Sequence, residues 1–193
     1  MSSSLQHWWR QLEPQWQQAF SITAFQHTNE PTPDELAQLY ATPALRFAGP
    51  SAPYPNMNFE LTNLSGVEAL QNLETLVVIF QKIETVKEVS RLKSLKHLFL
   101  YSNQVNSLNG IEALTALEML YVQDNQISSF QQVEKLINLR ELYINGNKIE
   151  NLNGLTEEHA EKLQMFFCKP NDLLKQKEML RVERELGIRC RSI

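Results

Sequence analysis

Nucleophiles, bases and metal ligands are few in this chain, and their spacing suits no familiar reaction. Cys168 and Cys190 form neither a C-x-x-C pair nor a metal-ligand spacing. Cys168 falls in line with Leu100, Val122 and Ile144 in a recurring pattern set out below, so it is expected to point into the core as inert packing. Cys190 lies in "GIRCRSI", where neighbouring arginines would lower a thiol pKa, yet no partnered base stands nearby. Whether the two are joined in a disulfide stays open at this point. Reduced thiols in a cytoplasmic protein are the simpler expectation. His7, His27, His97 and His159 are scattered, without H-E-x-x-H or another ligand spacing. The patterns G-x-x-x-x-G-K-[ST], G-x-G-x-x-G and G-x-S-x-G do not occur. The acidic pair Glu157–Glu158 reads as solvated surface. No catalytic residue, cofactor or metal is expected, and a thiol-dependent enzyme acting through Cys190 is the last of three readings weighed.

Bulk properties narrow the partners. At 193 residues the chain suffices for one well-buried core and is most simply a single domain. An apolar content of 42% with 21% charged residues is ordinary for a globular protein. A net charge of −4 supplies no general attraction to phosphate, so nucleic acid and anionic lipid are not expected partners. The opening "MSSSLQHWWRQLEPQWQQAF" lacks the basic and apolar regions of a secretory signal, and no apolar run is long enough to span a bilayer.

What organises the chain is a repeat of 22 residues. "LETLVVIFQKIETVKEVSRLKS" (73–94), "LKHLFLYSNQVNSLNGIEALTA" (95–116) and "LEMLYVQDNQISSFQQVEKLIN" (117–138) lead into "LRELYINGNKIENLNGL" (139–155). Apolar residues hold the same offsets, in the second unit Leu95, Leu98, Leu100, Val105, Leu108, Ile111 and Leu114. Asparagine recurs at Asn103, Asn125 and Asn147, with Gln81 in its place in the first unit. Partial units at 61–72 and, past an insertion near Glu157, at 163–171 extend the array. Gly66, Gly110 and Gly154 share one offset and suit a turn with positive φ. One such unit cannot bury its own apolar residues, so units stack and share a core, with short strands pairing in parallel.

These residues resemble the leucine-rich repeat family, particularly its 22-residue class with the pattern L-x-x-L-x-L-x-x-N-x-I. The resemblance covers roughly residues 61–171. It implies an α/β fold: a solenoid with a parallel β-sheet on its concave face, helical caps at both ends, and the generic role of an interaction scaffold.

The flanks are expected to cap it. Leu5, Trp9, Leu12, Trp16 and Phe20 form a helical stripe, divided by Pro14 into two helices. Residues 31–41 read as a further helix, 44–47 as an irregular first strand and 48–59 as a loop, making 1–60 the N-terminal cap. The repeats occupy 61–171, and 172–193 form a capping helix and tail, one continuous domain in all. A charged helix over 171–186 is expected to lay Leu173, Leu180 and Leu186 over the last strand.

Alternation along each strand then sorts the remaining side chains. With Leu139, Leu142 and Ile144 inward, Glu141, Tyr143 and Asn145 face the concavity. The same offsets give a central column of Val77, Phe99, Tyr121, Tyr143 and Phe167. On one side run Thr75, His97, Met119, Glu141 and Met165; on the other, Ile79, Tyr101, Gln123, Asn145 and Lys169. With Ile79, Tyr101, Met119 and Met165 beside it, such a column is expected to form an apolar patch of several hundred Å², and a patch of roughly 400 Å² or more usually marks a contact surface. The candidate partner-binding residues are Val77, Ile79, His97, Phe99, Tyr101, Met119, Tyr121, Glu141, Tyr143, Met165 and Phe167. A protein or peptide partner is the first reading. A homodimer through the same face is the second; the alternatives to both are cover by the chain's own termini and aromatic cross-strand pairing that merely stabilises the sheet. Glu74, Lys96, Glu118 and Arg140 alternate in sign at one offset, a structural ladder beside the columns.

Overall fold

The computed structural model describes residues 2–192, with side chains from residue 4 onward. Seven parallel strands form one sheet in chain order. They are β1 Ala44–Ala48, β2 Thr75–Ile79, β3 His97–Phe99, β4 Met119–Tyr121, β5 Glu141–Tyr143, β6 Met165–Lys169 and β7 Arg191–Ser192. The legs between strands carry short 3-10 turns, at Ser65–Val67, Lys87–Arg91, Ile111–Ala113 and Gln131–Lys135. The repeat is long enough for a tight parallel crossover and too short for a long helix in it. Leu76, Leu98, Leu120, Leu142 and Phe166 stand side by side in register on the core face, each at most 2% exposed. The solenoid with its parallel sheet is as expected.

The recurring asparagine knits one unit to the next. Asn125 Nδ2 donates to Leu100 O at 2.9 Å and Val122 O at 3.1 Å, while its Oδ1 accepts from Val105 N at 2.9 Å. Asn103, Asn147 and Asn171 repeat the arrangement, and Gln81 reproduces it with Leu61 N and Phe47 O. Where the chain leaves each strand, backbone groups lose their sheet partners, and a buried unpaired group costs about 1–3 kcal/mol. The amide, donor and acceptor in one side chain, meets them.

The residue just before Gln81, Asn103, Asn125 and Asn147 is left-handed: Phe80, Ser102, Asp124 and Gly146 have φ of 53°, 56°, 56° and 66°. The positive φ expected of Gly66, Gly110 and Gly154 holds only at Gly110. Gly66 is needed for close approach instead, since a Cβ there would lie 2.1 Å from the Trp16 ring. Likewise one at Gly154 would lie 2.2 Å from Phe130 O.

At the N-terminal end, helices α1 Ser2–Gln11 and α2 Pro14–Phe20 divide at Pro14, followed by a π-helical turn, Ser21–Phe25. Trp16, Phe20 and Phe47 pack with centroids 5.2–5.7 Å apart over the first repeat. Trp16 Nε1 donates to Asn63 Oδ1 at 3.1 Å, satisfying the buried indole. Helix α3, Pro33–Ala41, opens with a Thr32–Glu35 capping box. β1 is regular, not irregular: all five of its residues are in register with β2.

The C-terminal end departs further from expectation. The insertion near Glu157 forms helix α4, Glu157–Lys162, and the last helix, α5, spans Gln176–Glu185, not 171–186. Leu173 and Leu180 are 48% and 38% exposed, so they do not cover the last strand. Leu174, Val182, Ile188 and Cys190 are buried there, with Leu186 packed against them. The tail returns to the sheet as β7, paired with β6. The sheet thus runs from β1 to β7, one strand beyond the stretch read as repeats at each end.

Candidate interaction face

Register fixes the columns. Arg46 pairs with Val77, Val77 with Phe99, Phe99 with Tyr121, Tyr121 with Tyr143, Tyr143 with Phe167, and Phe167 with Arg191. The expected central column therefore exists and carries an arginine at each end. Its rings touch: Phe99–Tyr121 centroids lie 4.8 Å apart, edge to face, Tyr121–Tyr143 4.1 Å and Tyr143–Phe167 4.6 Å. Each such contact contributes about 0.5–1.5 kcal/mol beyond the area it buries. Because neighbours shield one another, all five expected members are half-buried, and the surface presented is flatter than isolated rings would give.

Beside the rings, His97, Met119, Glu141 and Met165 follow in register from Thr75. Thr75 Oγ1 and His97 Nδ1 are hydrogen-bonded at 3.0 Å. The Tyr121 hydroxyl donates to Glu141 Oε2. Burial and this carboxylate raise the Tyr121 pKa above its ordinary value, so the phenol stays a neutral donor. Arg191 Nη1 lies 2.9 Å from Met165 Sδ.

The third column is less open than its sequence suggests. Ile79 is 4% exposed, packed with Ala48 at the end of β1 and with Ala52 of the loop that follows, so as a partner contact it is corrected. Val77, Phe80, Phe99 and Tyr101 pack against the same cluster, and Phe80 meets Tyr101 edge to face at 5.8 Å. The chain thus covers one end of its own concave face, and beyond it Tyr121, Tyr143 and Phe167 lie against one another. Asn145 is also buried, at 4% exposed. Its Oδ1 and Gln123 Oε1 are without hydrogen-bond partners among the described residues. Stranding such atoms costs about 1–3 kcal/mol each, and nothing in the repeat demands it.

Outside the columns, Lys96 Nζ pairs with Glu74 at 2.9 Å and Arg140 Nε with Glu118 at 3.3 Å, the expected charge ladder. Cys168 is fully buried, and Cys190 is 6% exposed beside it rather than displayed among arginines. Their mutual hydrogen bond and burial raise the Cys168 thiol pKa. The same bond, not the arginines, pulls the Cys190 pKa down. Among the described residues no group of three or more His, Cys, Asp or Glu side chains is placed to hold a metal. No helix there is long and apolar enough to cross a membrane.

Sequence reasoning missed Arg46, Arg191 and Asn145's burial. Arg46 was within reach, since Leu45 and Phe47 inward sends Arg46 outward in "ALRF". Arg191 was not, because the pairing of β7 shifts against β6 near Lys169.

Residues 93–135 and 115–157 match the family model described as Leucine Rich repeats (2 copies). No curated protein matches the chain in sequence. Among solved structures it is similar to an internalin from Listeria monocytogenes str. 4b F2365, with 28% identity over 59% of this chain and 34% of that one, at a TM-score of 0.54. The functional domain of InlJ from Listeria monocytogenes is 20% identical over 90% of this chain and 40% of its own, at 0.59. A leucine-rich-repeat protein of Leptospira interrogans is 23% identical over 84% and 51%, at 0.53. The chain spans about a third to a half of the length of these structures. Its fold is that of a leucine-rich-repeat solenoid.

Proposed function

We propose that the chain is a non-catalytic interaction module that binds a protein or peptide through β3–β6 of its concave face. The observation that carries this reading is the column Phe99, Tyr121, Tyr143, Phe167: four adjacent aromatic residues at an offset the repeat leaves free to vary, none of them packed into the main core. Aromatic anchors dominate the energetics of interface centres. His97, Glu141 and Lys169 then orient the partner at the rim. The binding region is narrower than its sequence suggests, because the loop after β1 already occupies the face at Ile79. We assign the repeats to the 22-residue class, supported by the spacing of Asn103, Asn125 and Asn147. A reduced, cytoplasmic setting accords with two free cysteines.

Affinity capture with wild type and the Tyr121→Ala/Tyr143→Ala variant, each first shown to melt cooperatively, tests the reading. Loss of the captured partner in the variant is expected; equal capture rejects the face as the site. Size measured across a dilution series separates partner binding from self-association, since a persistent dimer through this face leaves no room for a partner.

A further inference from the structure

We propose that the partner segment has an apolar centre flanked by carboxylates, which Arg46 and Arg191 clamp at the two ends of the aromatic column. This rests on the concave face being the binding surface.

Two features of the charge distribution carry it. First, the chain is acidic overall, at −4, whereas the concave columns carry Arg46, Lys169 and Arg191 against Glu141 alone, and Glu141 is engaged by the Tyr121 hydroxyl. Second, four of the six arginines outside the columns are paired. Arg10 meets Glu30, Arg91 meets Glu68, Arg140 meets Glu118, and Arg181 meets Glu178 and Glu185. Among the described residues no carboxylate of the chain forms an ion pair with Arg46 or Arg191. Instead a neutral atom holds each one: Arg46 Nη2 donates to Tyr54 O at 2.5 Å, and Arg191 Nη1 rests 2.9 Å from Met165 Sδ. A guanidinium has five N–H donors in a rigid fork, so each keeps donors for an incoming carboxylate and is already oriented.

Spacing sets the length of the segment. Six strand steps of ~4.8 Å separate the two arginines, about 29 Å along the sheet, which an extended peptide covers in about nine residues. Between them Val77 and the four rings form the floor, with the loop after β1 bordering its Ile79 side. A single-stranded nucleic acid fits less well. The rings already lie against one another, 4.1–4.8 Å apart, and leave no free faces on which successive bases would stack.

Fluorescence anisotropy with the full chain provides the test. The probe is the labelled nonapeptide Glu-Glu-Leu-Phe-Leu-Trp-Leu-Glu-Glu, and its counterpart replaces every Glu by Lys. The acidic peptide is expected to bind at least tenfold more tightly at low salt, with a margin that narrows as salt screens the ends. Arg46→Glu/Arg191→Glu is expected to reverse the order, and Arg46→Gln/Arg191→Gln to abolish the preference. Tyr121→Ala/Tyr143→Ala is expected to weaken both peptides alike. Equal binding of the two peptides, still lost in the tyrosine variant, overturns the clamp and leaves the face standing as the site. Binding indifferent to arginine and tyrosine variants overturns both, and binding of neither peptide overturns the clamp. So does tighter binding of a nine-residue oligothymidylate than of the acidic peptide.

Discussion

On the core side of β3, β4 and β5 stand Leu98, Leu120 and Leu142, all fully buried. On the opposite side of the same three strands stand Phe99, Tyr121 and Tyr143, half-buried and touching one another. One backbone carries both rows, yet they answer different demands. The leucines fill a space that the stacked units close around, so the fold dictates their size and polarity. Among the described residues nothing closes around the aromatic row beyond Phe99, so the fold tolerates many side chains there. A row of rings at that offset is therefore what the proposed binding reading rests on, while a row of leucines is informative only about folding.

The sharpest break of that comparison comes from truncating each row. Leu120→Ala is expected to destabilise the chain by about 2–5 kcal/mol in urea unfolding, through lost transfer free energy and a cavity. A cost below that of removing the exposed Ile137 side chain would show that the core side is not what holds the sheet. Next is Asn125→Ala, at the point where the chain leaves β4. It strands Val105 N, Leu100 O and Val122 O and is expected to cost about 2–3 kcal/mol; a change under half of that would mean that water replaces the amide.

A polar group inside the core side gives a pH signature. His159 is fully buried, with Nε2 on Val133 O at 3.1 Å and Nδ1 on Thr156 N at 3.2 Å. Since a carbonyl only accepts, Nε2 must carry the proton and Nδ1 must accept, so this histidine is neutral. Burial lowers its pKa below the ordinary 6.5. The unfolded chain therefore takes up the proton first as pH falls, and the stability held above pH 6.5 is lost below it. Melting from pH 8 to pH 5 is expected to fall more steeply in wild type than in His159→Gln; parallel curves would remove this role. The smallest effect expected is at Ser102, whose φ is 56°. Ser102→Gly relieves the left-handed strain that Gly146 avoids, and a gain of about 0.5 kcal/mol is expected after the entropy cost of glycine. A loss in thermal melting would show the serine side chain matters more than its backbone.

Much of this was legible in the sequence where many residues repeat one instruction. Leu95, Leu98 and Leu100, echoed at Leu117, Leu120 and Val122, fix the strands, their inward faces and hence the outward Tyr121. Asn103, Asn125 and Asn147 marked the strand exits, and Pro14 the break between α1 and α2. The left-handed offset was hidden because three of its four occupants, Phe80, Ser102 and Asp124, are not glycine. Contacts between distant segments were not legible either. Burial of Ile79 depends on Ala48 and Ala52 arriving over it, which no local pattern records. At the C-terminal end Leu173, Leu174 and Leu180 offered competing helical faces, and only packing selects Leu174. Cys190 left no such signal: Phe167 pairs with Arg191, 24 residues on, so the 22-residue period does not predict where β7 sets its side chains.

The claim that partners meet the aromatic side and not the rest of the surface is tested most directly by photocrosslinking in the cells that make this protein. Benzoylphenylalanine would stand in turn at Tyr121, Tyr143 and, as a control, Ile137, which is 40% exposed away from the columns. The same discrete adduct at Tyr121 and Tyr143, absent at Ile137, is expected. An adduct at Ile137 with none at either tyrosine would contradict the account.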